Sequence, residues 1–359
     1  MLNAVVKVFF PYKIVAEVTP FGNGHINNTY LVRLHGEKPA YILQRINTNV
    51  FPDPQEIVET HARLEDVVFQ GNNNLTIARL VRTASGQKLH IDEDRNVWRL
   101  TTFIPDSYSM DIIEDNHYAL EAGNAFGWFA RSCHKLNPKS FTEAIPNFHS
   151  LHYRVKLLKK AVEQNVANRL SDVENLLTFY LDYQQSLHDI EPCIKDGLIP
   201  LRIVHNDTKL NNLLFRDKKA VAIIDLDTVG PGILFYDYGD AIRTCANSAK
   251  EDEQDLSKVN FDLIAFEALT LGYIGQVKTI TTATEEKLFY KAPFLMTYIM
   301  GVRFLTDFLN GDIYYKTSYP NHNLKRSLVQ KTLIDKMEKN QSKMKEVILN
   351  ALKALPLTR

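Results

Sequence analysis

The sequence predicts an α+β protein of two lobes: a β-rich N-terminal lobe over residues 1–104 and a mainly helical C-terminal lobe over residues 105–359. Short β-branched and aromatic runs separated by turn residues fill the first part, and apolar residues at helical spacing follow Pro105. Strand-like runs return once, around residues 200–227. A chain of 359 residues has room for one large domain or for two lobes.

The N-terminal lobe reads as a strand meander interrupted by one helix. Three strands are predicted in "YKIVAEVTPF", "TYLVRL" and "AYILQRI", joined by the turns "GNG" and "HGEKP". The meander continues through "NLTIARLVRT", "KLHI" and "NVWRLTTFI", with residues 85–87 at a hairpin tip. Between the third and fourth strands, Pro54 and the apolar spacing that follows it predict a helix in "PDPQEIVETHARLEDVVFQ".

Composition limits the classes of partner. Lysine plus arginine and aspartate plus glutamate number 42 each, so no excess charge favours a nucleic acid, an acidic membrane or a polyanion. The three cysteines are far apart and lack metal-ligand spacing, which predicts reduced thiols. No apolar run is long enough to cross a bilayer. We therefore expect a cytoplasmic protein that binds small molecules, without an obligate protein partner.

A polar cluster between apolar flanks carries the chemistry. In "IVHNDTKLNNLLF", His205, Asp207 and Asn212 form the pattern H-x-D-x-x-x-x-N, and a later strand leads into Asp225 and Asp227. Each residue alone is also a common turn residue. Together they supply what phosphoryl transfer from ATP requires, namely a carboxylate for the acceptor's proton and oxygen ligands for Mg²⁺. His205 is expected to hold the loop through backbone hydrogen bonds.

These residues carry a family resemblance. "VHNDTKLNNLLF" followed by "AIIDLDTVGPGILFYDYGDAIRT" resembles the aminoglycoside phosphotransferase and choline kinase-like superfamily, which has a protein-kinase-like fold. Within it, "DLDTVGPG", "YDYGD" and "RFLTDFLNGDIYY" are similar to N-acetylhexosamine 1-kinases, as are "FGNGHINNTYLV" and "YILQRIN" near the N-terminus. The resemblance covers most of the chain. It implies ATP as co-substrate, Asp207 as catalytic base in contact with the acceptor, and Asn212 and Asp225 as Mg²⁺ ligands.

The nucleotide site is less fully marked by the sequence. Gly22 and Gly24 in "GNGHINNTY" would let backbone amides approach phosphates, although a plain hairpin turn fits the same residues. The strand lysine that grips phosphates in protein kinases has no counterpart in "AYILQRIN". Arg45 is predicted to bind the nucleotide in its place. Gln44 stays an alternative, because strand alternation brings only one of these neighbours to the cleft.

Two further features complete the predicted nucleotide site. Glu56 and Glu59, on the following helix, are candidate partners of Arg45, or else solvated surface charges. The segment "RLTTFIPDS" resembles the hinge between the lobes, whose backbone hydrogen-bonds adenine. The predicted hinge residues are Thr102, Phe103 and Ile104.

Arg243 and Arg303 are predicted to bind the acceptor. Each lies in an otherwise apolar helical segment, and a buried guanidinium needs an anion or a hydroxyl-rich partner. For Arg303, a salt bridge to Asp307 one helical turn later is the alternative.

The sequence thus predicts a kinase that uses ATP to phosphorylate a sugar, at the anomeric C1 hydroxyl of N-acetylglucosamine or N-acetylgalactosamine. The alternatives are a choline, homoserine or aminoglycoside kinase of the same superfamily, or a nucleotide-binding scaffold without turnover. A choline or aminoglycoside acceptor would favour a strongly acidic or aromatic-caged pocket, so the charge of the pocket distinguishes these acceptors.

Overall fold

A computed structural model describes residues 2–22, 26–38, 40–70 and 75–354, and it has the predicted α+β architecture. The strands are β1 (Val15–Pro20), β2 (Asn28–Leu34), β3 (Tyr41–Ile46), β4 (Thr76–Ile77), β5 (Leu80–Val81), β6 (His90–Ile91), β7 (Val97–Thr102), β8 (Arg202–Val204), β9 (Leu213–Arg216), β10 (Lys219–Ile223) and β11 (Gly230–Gly232). The α-helices are α1 (Leu2–Phe9), α2 (Pro54–Gln70), α3 (Asn116–Ser132), α4 (Leu151–Gln164), α5 (Glu174–Tyr183), α6 (Ile190–Lys195), α7 (Leu234–Cys245), α8 (Leu263–Val277), α9 (Ala283–Leu288), α10 (Ala292–Leu309), α11 (His322–Lys339) and α12 (Gln341–Lys353).

The N-terminal part is built on one antiparallel sheet in the order β1-β2-β3-β7-β5, with β6 also pairing with β7. Helix α1 covers its outer face, where Val5, Val6 and Phe9 pack against sheet residues that include Val32 and Trp98. This helix was not among the predicted elements, since the only helix predicted for this part follows the third strand. The spacing of these three apolar residues places them on one face of a helix.

The turn at residues 85–87 forms, and Gly86 adopts the positive φ of 84° that such a turn needs. The predicted hairpin is nevertheless wrong, since the flanking strands β5 and β6 pair with β7 and not with each other. Turn residues specify a reversal of the chain, but the partner of each strand is decided by the sheet as a whole.

Strand register decides which side chains of the sheet face the C-terminal lobe. Gln44 of β3 lies directly opposite Arg99 of β7 and also opposite Thr29 of β2, so these three side chains share one face. Their neighbours Arg45 and Trp98 are opposite each other on the other face. Trp98 packs under α1, which identifies that face as the outer one. Gln44 and Arg99 therefore point into the cleft between the lobes.

The C-terminal part is a helical body with a large apolar core. Helices α3 and α8 approach closely at Gly123, where an added Cβ atom would lie 2.1 Å from the carbonyl oxygen of Leu269. Helix α10 is buried along most of its length. Among the described residues, no helix is both long and apolar enough to span a membrane.

Short strands return where the sequence predicts them, between α6 and α7. The β9–β10 hairpin joins β4 of the N-terminal part, with Ala222 and Ile223 paired in parallel to Thr76 and Ile77. The Arg216 side chain also donates to the carbonyl oxygen of Asp106, 3.2 Å away, in the connection that follows β7. Both parts thus meet at this hairpin.

Candidate active site

The loop of residues 205–212, called here the catalytic loop, is held from below by one buried carboxylate. Asp237, in the first turn of α7, accepts hydrogen bonds from the backbone N–H groups of His205 and Asn206, both at 2.8 Å. Thr208 donates its hydroxyl to the Asp237 carbonyl. Burial raises the pKa of Asp237 to about 6, while the His205 imidazole and the two N–H donors oppose the rise. Asp237 therefore supports the catalytic loop from the start of α7.

His205 has the structural role predicted for it. Its Nε2 atom lies 3.0 Å from the carbonyl oxygen of Ile224, and its ring meets the edges of Phe126 and Phe129. Its own carbonyl oxygen accepts from the Thr228 hydroxyl at 2.9 Å. These contacts tie the catalytic loop to the next hairpin from inside the core.

Asp207 is the carboxylate that the catalytic loop presents to the cleft. Asn212 Nδ2 donates to its Oδ2 at 3.0 Å and to its carbonyl oxygen at 2.8 Å. Lys209 Nζ lies 3.1 Å from the same Oδ2. Burial raises the pKa of Asp207, but the charge of Lys209, the nearby His205 and these hydrogen bonds outweigh it, and the pKa lies below its usual range. Asp207 is thus held ionised.

Lys209 is a site residue that the sequence-based prediction missed. Burial lowers its pKa, but the charges of Asp207, Asp225, Glu251 and Asp240 outweigh burial and hold the pKa above its usual range. The permanent ammonium group stands among the carboxylates of the cleft. The available signal was its spacing, two residues after Asp207 within the motif.

Asp225 follows β10 at the end of residues 213–227, called here the Asp225 hairpin. Its φ of 59° is left-handed, which turns the chain sharply away from the strand. Asp225 is exposed to solvent. The surrounding protein and the neighbouring Asp227 and Asp207 raise its pKa to about 7, against the opposing charges of Lys209 and Arg99. Such crowding of carboxylates is relieved by a cation.

The donor set fits Mg²⁺ when phosphates complete it. The Asn212 carbonyl accepts from Ile224 N–H at 3.0 Å, which joins the catalytic loop to the residue before Asp225. Since the Asn212 amide nitrogen serves Asp207, its side-chain oxygen is the atom available to a cation. Within the described part of the chain, no group of three or more His, Cys, Asp or Glu side chains is arranged as a metal site. Two oxygen ligands plus substrate phosphates are a usual arrangement for Mg²⁺.

Asp227 connects the two walls of the cleft. One carboxylate oxygen is paired with Nη1 of Arg99, and the other accepts from Nδ2 of Asn27 at 2.7 Å. Arg99 Nε donates to Gln44 Oε1 at 2.9 Å. His61 of α2 is close by, and burial followed by the charge of Arg99 lowers its pKa to about 4. Asp227 therefore acts as a brace between the two walls.

The structure does not bring Arg45 to this site. Its guanidinium is on the exposed outer face, where Nη2 donates to Asn28 Oδ1 at 2.9 Å. Glu56 and Glu59 do not contact it, because they pair with Arg63 and Lys88. Because side chains alternate along β3, Gln44 faces the cleft and Arg45 does not. The cationic side chain on the cleft face of the sheet is Arg99 of β7, which the sequence-based prediction missed.

The predicted phosphate loop is described only in part. Gly22 has a φ of 73° with open space around its Cα atom, which fits a tight turn that glycine favours. Gly24 lies outside the described residues. Asn27 closes the loop, since its Oδ1 accepts from Asn47 N–H at 2.9 Å while its Nδ2 reaches Asp227.

The predicted hinge residues directly follow or end β7. The N–H of Thr102 is bonded to Arg79 and that of Phe103 to Ala40, at 2.9 and 3.2 Å. Within the described residues, the N–H of Ile104 has no such partner, so it is the donor that adenine can use. The Phe21 ring meets Phe103 edge-on, with centroids 5.8 Å apart, at the mouth of this segment.

The two arginines predicted to bind the acceptor have different surroundings. Arg243 is buried and donates to Asp240 at 2.8 Å and to Glu251 at 2.7 Å. Its charge is therefore already used within the protein. Arg303 is also buried, with 8% exposure, but no described carboxylate lies within salt-bridge distance. Its hydrogen bond is to the Met300 sulfur at 3.4 Å.

The salt bridge between Arg303 and Asp307, which was the alternative to acceptor binding, does not form. Asp307 instead accepts from the backbone N–H groups of Ile313, Tyr314 and Tyr315, at 2.8 to 3.0 Å. Asp307 thereby shapes the loop after α10. Three successive backbone donors at close range are stronger partners for a buried carboxylate than a side chain one turn away.

Arg303 is enclosed by aromatic rings. Its guanidinium carbon is 4.5 Å from the ring centroid of Phe148 and 5.6 Å from that of Tyr315. Arg154 also lies over the Phe148 ring, and it donates two hydrogen bonds to the Phe148 carbonyl oxygen, at 2.7 and 2.9 Å. Burial and then the charge of Arg303 lower the pKa of Arg154 to about 10. This group of residues, Arg303, Arg154, Phe148, Tyr314 and Tyr315, is called here the arginine–aromatic cluster.

The arginine–aromatic cluster adjoins the catalytic loop through His149. The Nε2 atom of His149 lies 2.8 Å from the carbonyl oxygen of Asn206, the residue before Asp207. Burial and then the charge of Arg303 lower the pKa of His149 to about 3, while the charge of Asp207 opposes the fall. The His149 ring is also 4.3 Å from the Phe148 ring, centroid to centroid, so it links the cluster to the residue before Asp207.

Comparisons with known proteins identify a matching family and similar folds. The sequence profile of a family described as "Phosphotransferase enzyme family" matches residues 17–269. A microcompartment-associated aminopropanol kinase has a similar structure, with a TM-score of 0.59 and 15% sequence identity over 96% of this chain and 99% of that one.

Two other solved structures extend the comparison. A choline kinase from Cryptosporidium parvum Iowa II has a TM-score of 0.60 and 14% identity, over 94% of this chain and 93% of that one. A spectinomycin phosphotransferase solved with ADP and spectinomycin has a TM-score of 0.58 and 11% identity, over 98% and 97%. At these identities the similarity shows a shared fold.

Proposed function

The chain belongs to the phosphotransferase enzyme family, and we propose that it transfers the γ-phosphoryl group of ATP to the anomeric C1 hydroxyl of an N-acetylhexosamine. The observation that carries phosphoryl transfer is the convergence of Asp207, Asn212, Lys209 and Asp225 on one side of the cleft. ATP as co-substrate is supported by the ADP bound to the spectinomycin phosphotransferase of the same fold.

Each residue of this group has a chemical role in the proposal. Asp207 accepts the proton of the attacking hydroxyl, since it is the ionised carboxylate of the catalytic loop. Lys209 neutralises charge as the phosphoryl group moves toward the acceptor. Asn212 and Asp225 hold Mg²⁺, which neutralises the charge of the phosphates when it is bound. The N–H of Ile104 binds adenine at the hinge.

The charges around Asp207 favour an uncharged acceptor over a cationic one. Asp227 is paired with Arg99, and Asp240 and Glu251 share Arg243, while Arg303 and Arg154 have no described carboxylate partner. The arginine–aromatic cluster therefore contributes two positive charges that no described carboxylate neutralises at salt-bridge distance. A choline or aminoglycoside cation would be repelled there, whereas guanidinium donors suit hydroxyl or carbonyl oxygens.

The arginine–aromatic cluster also has the chemistry of a sugar pocket. It combines aromatic faces with a few placed donors, as small-molecule sites usually do. The Tyr315 hydroxyl is buried and has no hydrogen-bond partner among the described residues, and burial raises its pKa to about 12. The "DLDTVGPG" and "RFLTDFL" segments, which resemble N-acetylhexosamine 1-kinases, support the sugar and the C1 position. Arg243 is left out of this proposal because its carboxylate partners already satisfy it.

The test is a coupled measurement of ADP and reducing ends. The enzyme is incubated with ATP, Mg²⁺ and N-acetylglucosamine or N-acetylgalactosamine, and parallel reactions contain choline, homoserine or an aminoglycoside. Phosphorylation at C1 removes the reducing end, so one reducing end should disappear for each ADP formed. The Asp207→Asn variant is the matched control and should neither form ADP nor consume reducing ends at a comparable rate.

Each alternative has its own outcome. ADP formed from the sugars with their reducing ends preserved would contradict the C1 assignment. ADP formed only with choline, homoserine or an aminoglycoside would assign the chain to another acceptor class. ADP formed with none of these acceptors, despite tight ADP binding, would favour a scaffold without turnover.

A further inference from the structure

In the cleft wall formed by the N-terminal sheet, no cationic side chain of β3 faces the cleft. The residue that faces the cleft there is Gln44, and its neighbour Arg45 is on the exposed outer face. An enzyme that binds ATP needs positive charge near the phosphates on this side too. The sheet supplies one at the paired position of the next strand, where Arg99 stands opposite Gln44.

The Arg99 guanidinium is fixed in direction by two partners. Its Nε donates to Gln44 Oε1 at 2.9 Å, and its Nη1 is paired with Asp227. Gln44 is itself held by Thr29, to which its Nε2 donates at 3.2 Å. Only 3% of Arg99 is exposed, yet no described residue accepts from its Nη2. This leaves a donor of a buried, oriented cation unused at the cleft.

The same wall already binds an anionic group. Arg99 and Asn27 donate to the two carboxylate oxygens of Asp227, one to each. Asn27 lies in the β1–β2 loop, so a strand cation and a loop amide converge on one anion. Phosphate oxygens are acceptors of the same kind, and guanidinium groups bind them well.

We propose that Arg99 of β7 is the phosphate-binding cation of this enzyme and takes the place of the missing β3 lysine. Its Nη2 donates to a phosphate oxygen of the nucleotide while Nη1 keeps its pair with Asp227. Gln44 acts as a spacer that sets the height of the guanidinium above the sheet. This inference rests on the proposed use of ATP, and it concerns the nucleotide alone, whatever the acceptor.

The experiment measures binding of ADP, AMP and adenosine to the full-length protein without acceptor, in EDTA so that metal binding does not contribute. In Arg99→Met we expect ADP to bind roughly 10- to 100-fold more weakly, because a charge-assisted hydrogen bond is lost. Adenosine should bind as in the unsubstituted protein. Arg45→Met, one residue from Gln44 on the outer face, is the matched control and should leave all three affinities unchanged.

A second variant separates phosphate binding from neutralisation of Asp227. Arg99→Met leaves Asp227 unpaired, and its negative charge alone would repel ADP. The double variant Arg99→Met/Asp227→Asn removes both charges. If Arg99 binds phosphate, ADP stays weakly bound in the double variant. If Arg99 only neutralises Asp227, the double variant recovers ADP affinity, and the inference is wrong.

The remaining outcomes also decide the question. An equal loss for ADP and adenosine in Arg99→Met would show a structural role and overturn the inference, as would unchanged ADP binding. If the unsubstituted protein binds neither ADP nor ATP, both the proposed function and this inference fail. If the unsubstituted protein binds ADP and Arg99→Met binds it with the same affinity, the proposed function stands and only the inference is lost.

Discussion

The two walls of the cleft are built in different ways. The C-terminal wall consists of the catalytic loop and the Asp225 hairpin, whose polar groups come from one stretch of sequence and are held by a dense network around Asp237 and His205. The N-terminal wall is a sheet face, where Gln44 and Arg99 lie 55 residues apart in sequence and meet only through strand register.

This difference separates two functions. The proposed role of the C-terminal wall is to accept the acceptor's proton and to neutralise the charge of the transferred phosphoryl group, so its loss should change the rate. The proposed role of the N-terminal wall is to bind phosphates, so its loss should change nucleotide affinity. Substitutions in each wall can test whether this division is real.

The largest effect is expected for Asp207→Asn. We expect kcat to fall by roughly two to four orders of magnitude with nucleotide affinity unchanged, because the carboxylate acts on the acceptor's proton. Steady-state kinetics and ADP binding check the two parts of the prediction. A variant that keeps more than a tenth of the normal kcat would exclude Asp207 as the base.

Asp225→Ala is expected to be the next most damaging substitution. Loss of a carboxylate ligand should lower the rate roughly a hundredfold and raise the Mg²⁺ concentration needed for activity. Asn212→Ala should be milder, since a neutral ligand is lost. Titration of Mg²⁺ against activity measures both, and an unchanged Mg²⁺ requirement in Asp225→Ala would place the ion elsewhere.

The two buried arginines of the C-terminal lobe should respond in opposite ways. Arg303→Met should raise the acceptor KM about tenfold or more, since a donor to the acceptor is lost, with little change in the free energy of unfolding. Arg243→Met leaves Asp240 and Glu251 without their cation and should lower the free energy of unfolding by roughly 3 kcal/mol.

Acceptor kinetics and urea unfolding of both arginine variants make the comparison. If Arg303→Met destabilised the fold and left the acceptor KM unchanged, Arg303 would be a structural residue. If Arg243→Met raised the acceptor KM without loss of stability, the original prediction for Arg243 would be restored.

The smallest effect on activity is expected from a fall in pH, which should instead lower the free energy of unfolding. His61 beside the N-terminal wall and His149 behind the C-terminal wall have pKa values lowered to about 4 and about 3, mainly by burial. A lowered histidine pKa stabilises the fold fully above about pH 6.5, and this stability is lost as the pH falls toward the folded pKa. Between pH 7 and pH 4 each contributes roughly 3 kcal/mol.

The measurement is urea unfolding between pH 7 and pH 4. His61→Gln and His149→Gln should each reduce the slope of stability against pH, whereas His188→Gln, at an exposed position, should not. Equal slopes in all three variants would show that other groups govern the acid response.

The catalytic loop could be predicted because its geometry is local. Asp207 and Asn212 are five positions apart in one loop, and a hydrogen bond between their side chains needs no distant element. Asp225 follows on the next hairpin. A spaced motif therefore predicted most of the C-terminal wall. Lys209 lies within the same motif but at neither its carboxylate nor its amide positions.

The N-terminal wall and the arginines required information that spacing does not hold. Whether Gln44 or Arg45 faced the cleft depended on which face α1 covers, and that helix was not predicted. Arg99 entered the site through its register with β3. The alternative of a pair between Arg303 and Asp307 could not be excluded from the sequence, because the donors to Asp307 come from a later loop.

The parallel pairing of β4 with β10 makes the protein difficult to dissect. A fragment ending at the hinge would keep β4 but lose the strand that pairs with it, and Arg99 would be left buried without its carboxylate. The complementary fragment would expose the other edge of β10 and leave Asp227 uncompensated. Neither half contains all the partners of its own strands and buried charges. The two should therefore unfold together in one transition when the intact chain is heated.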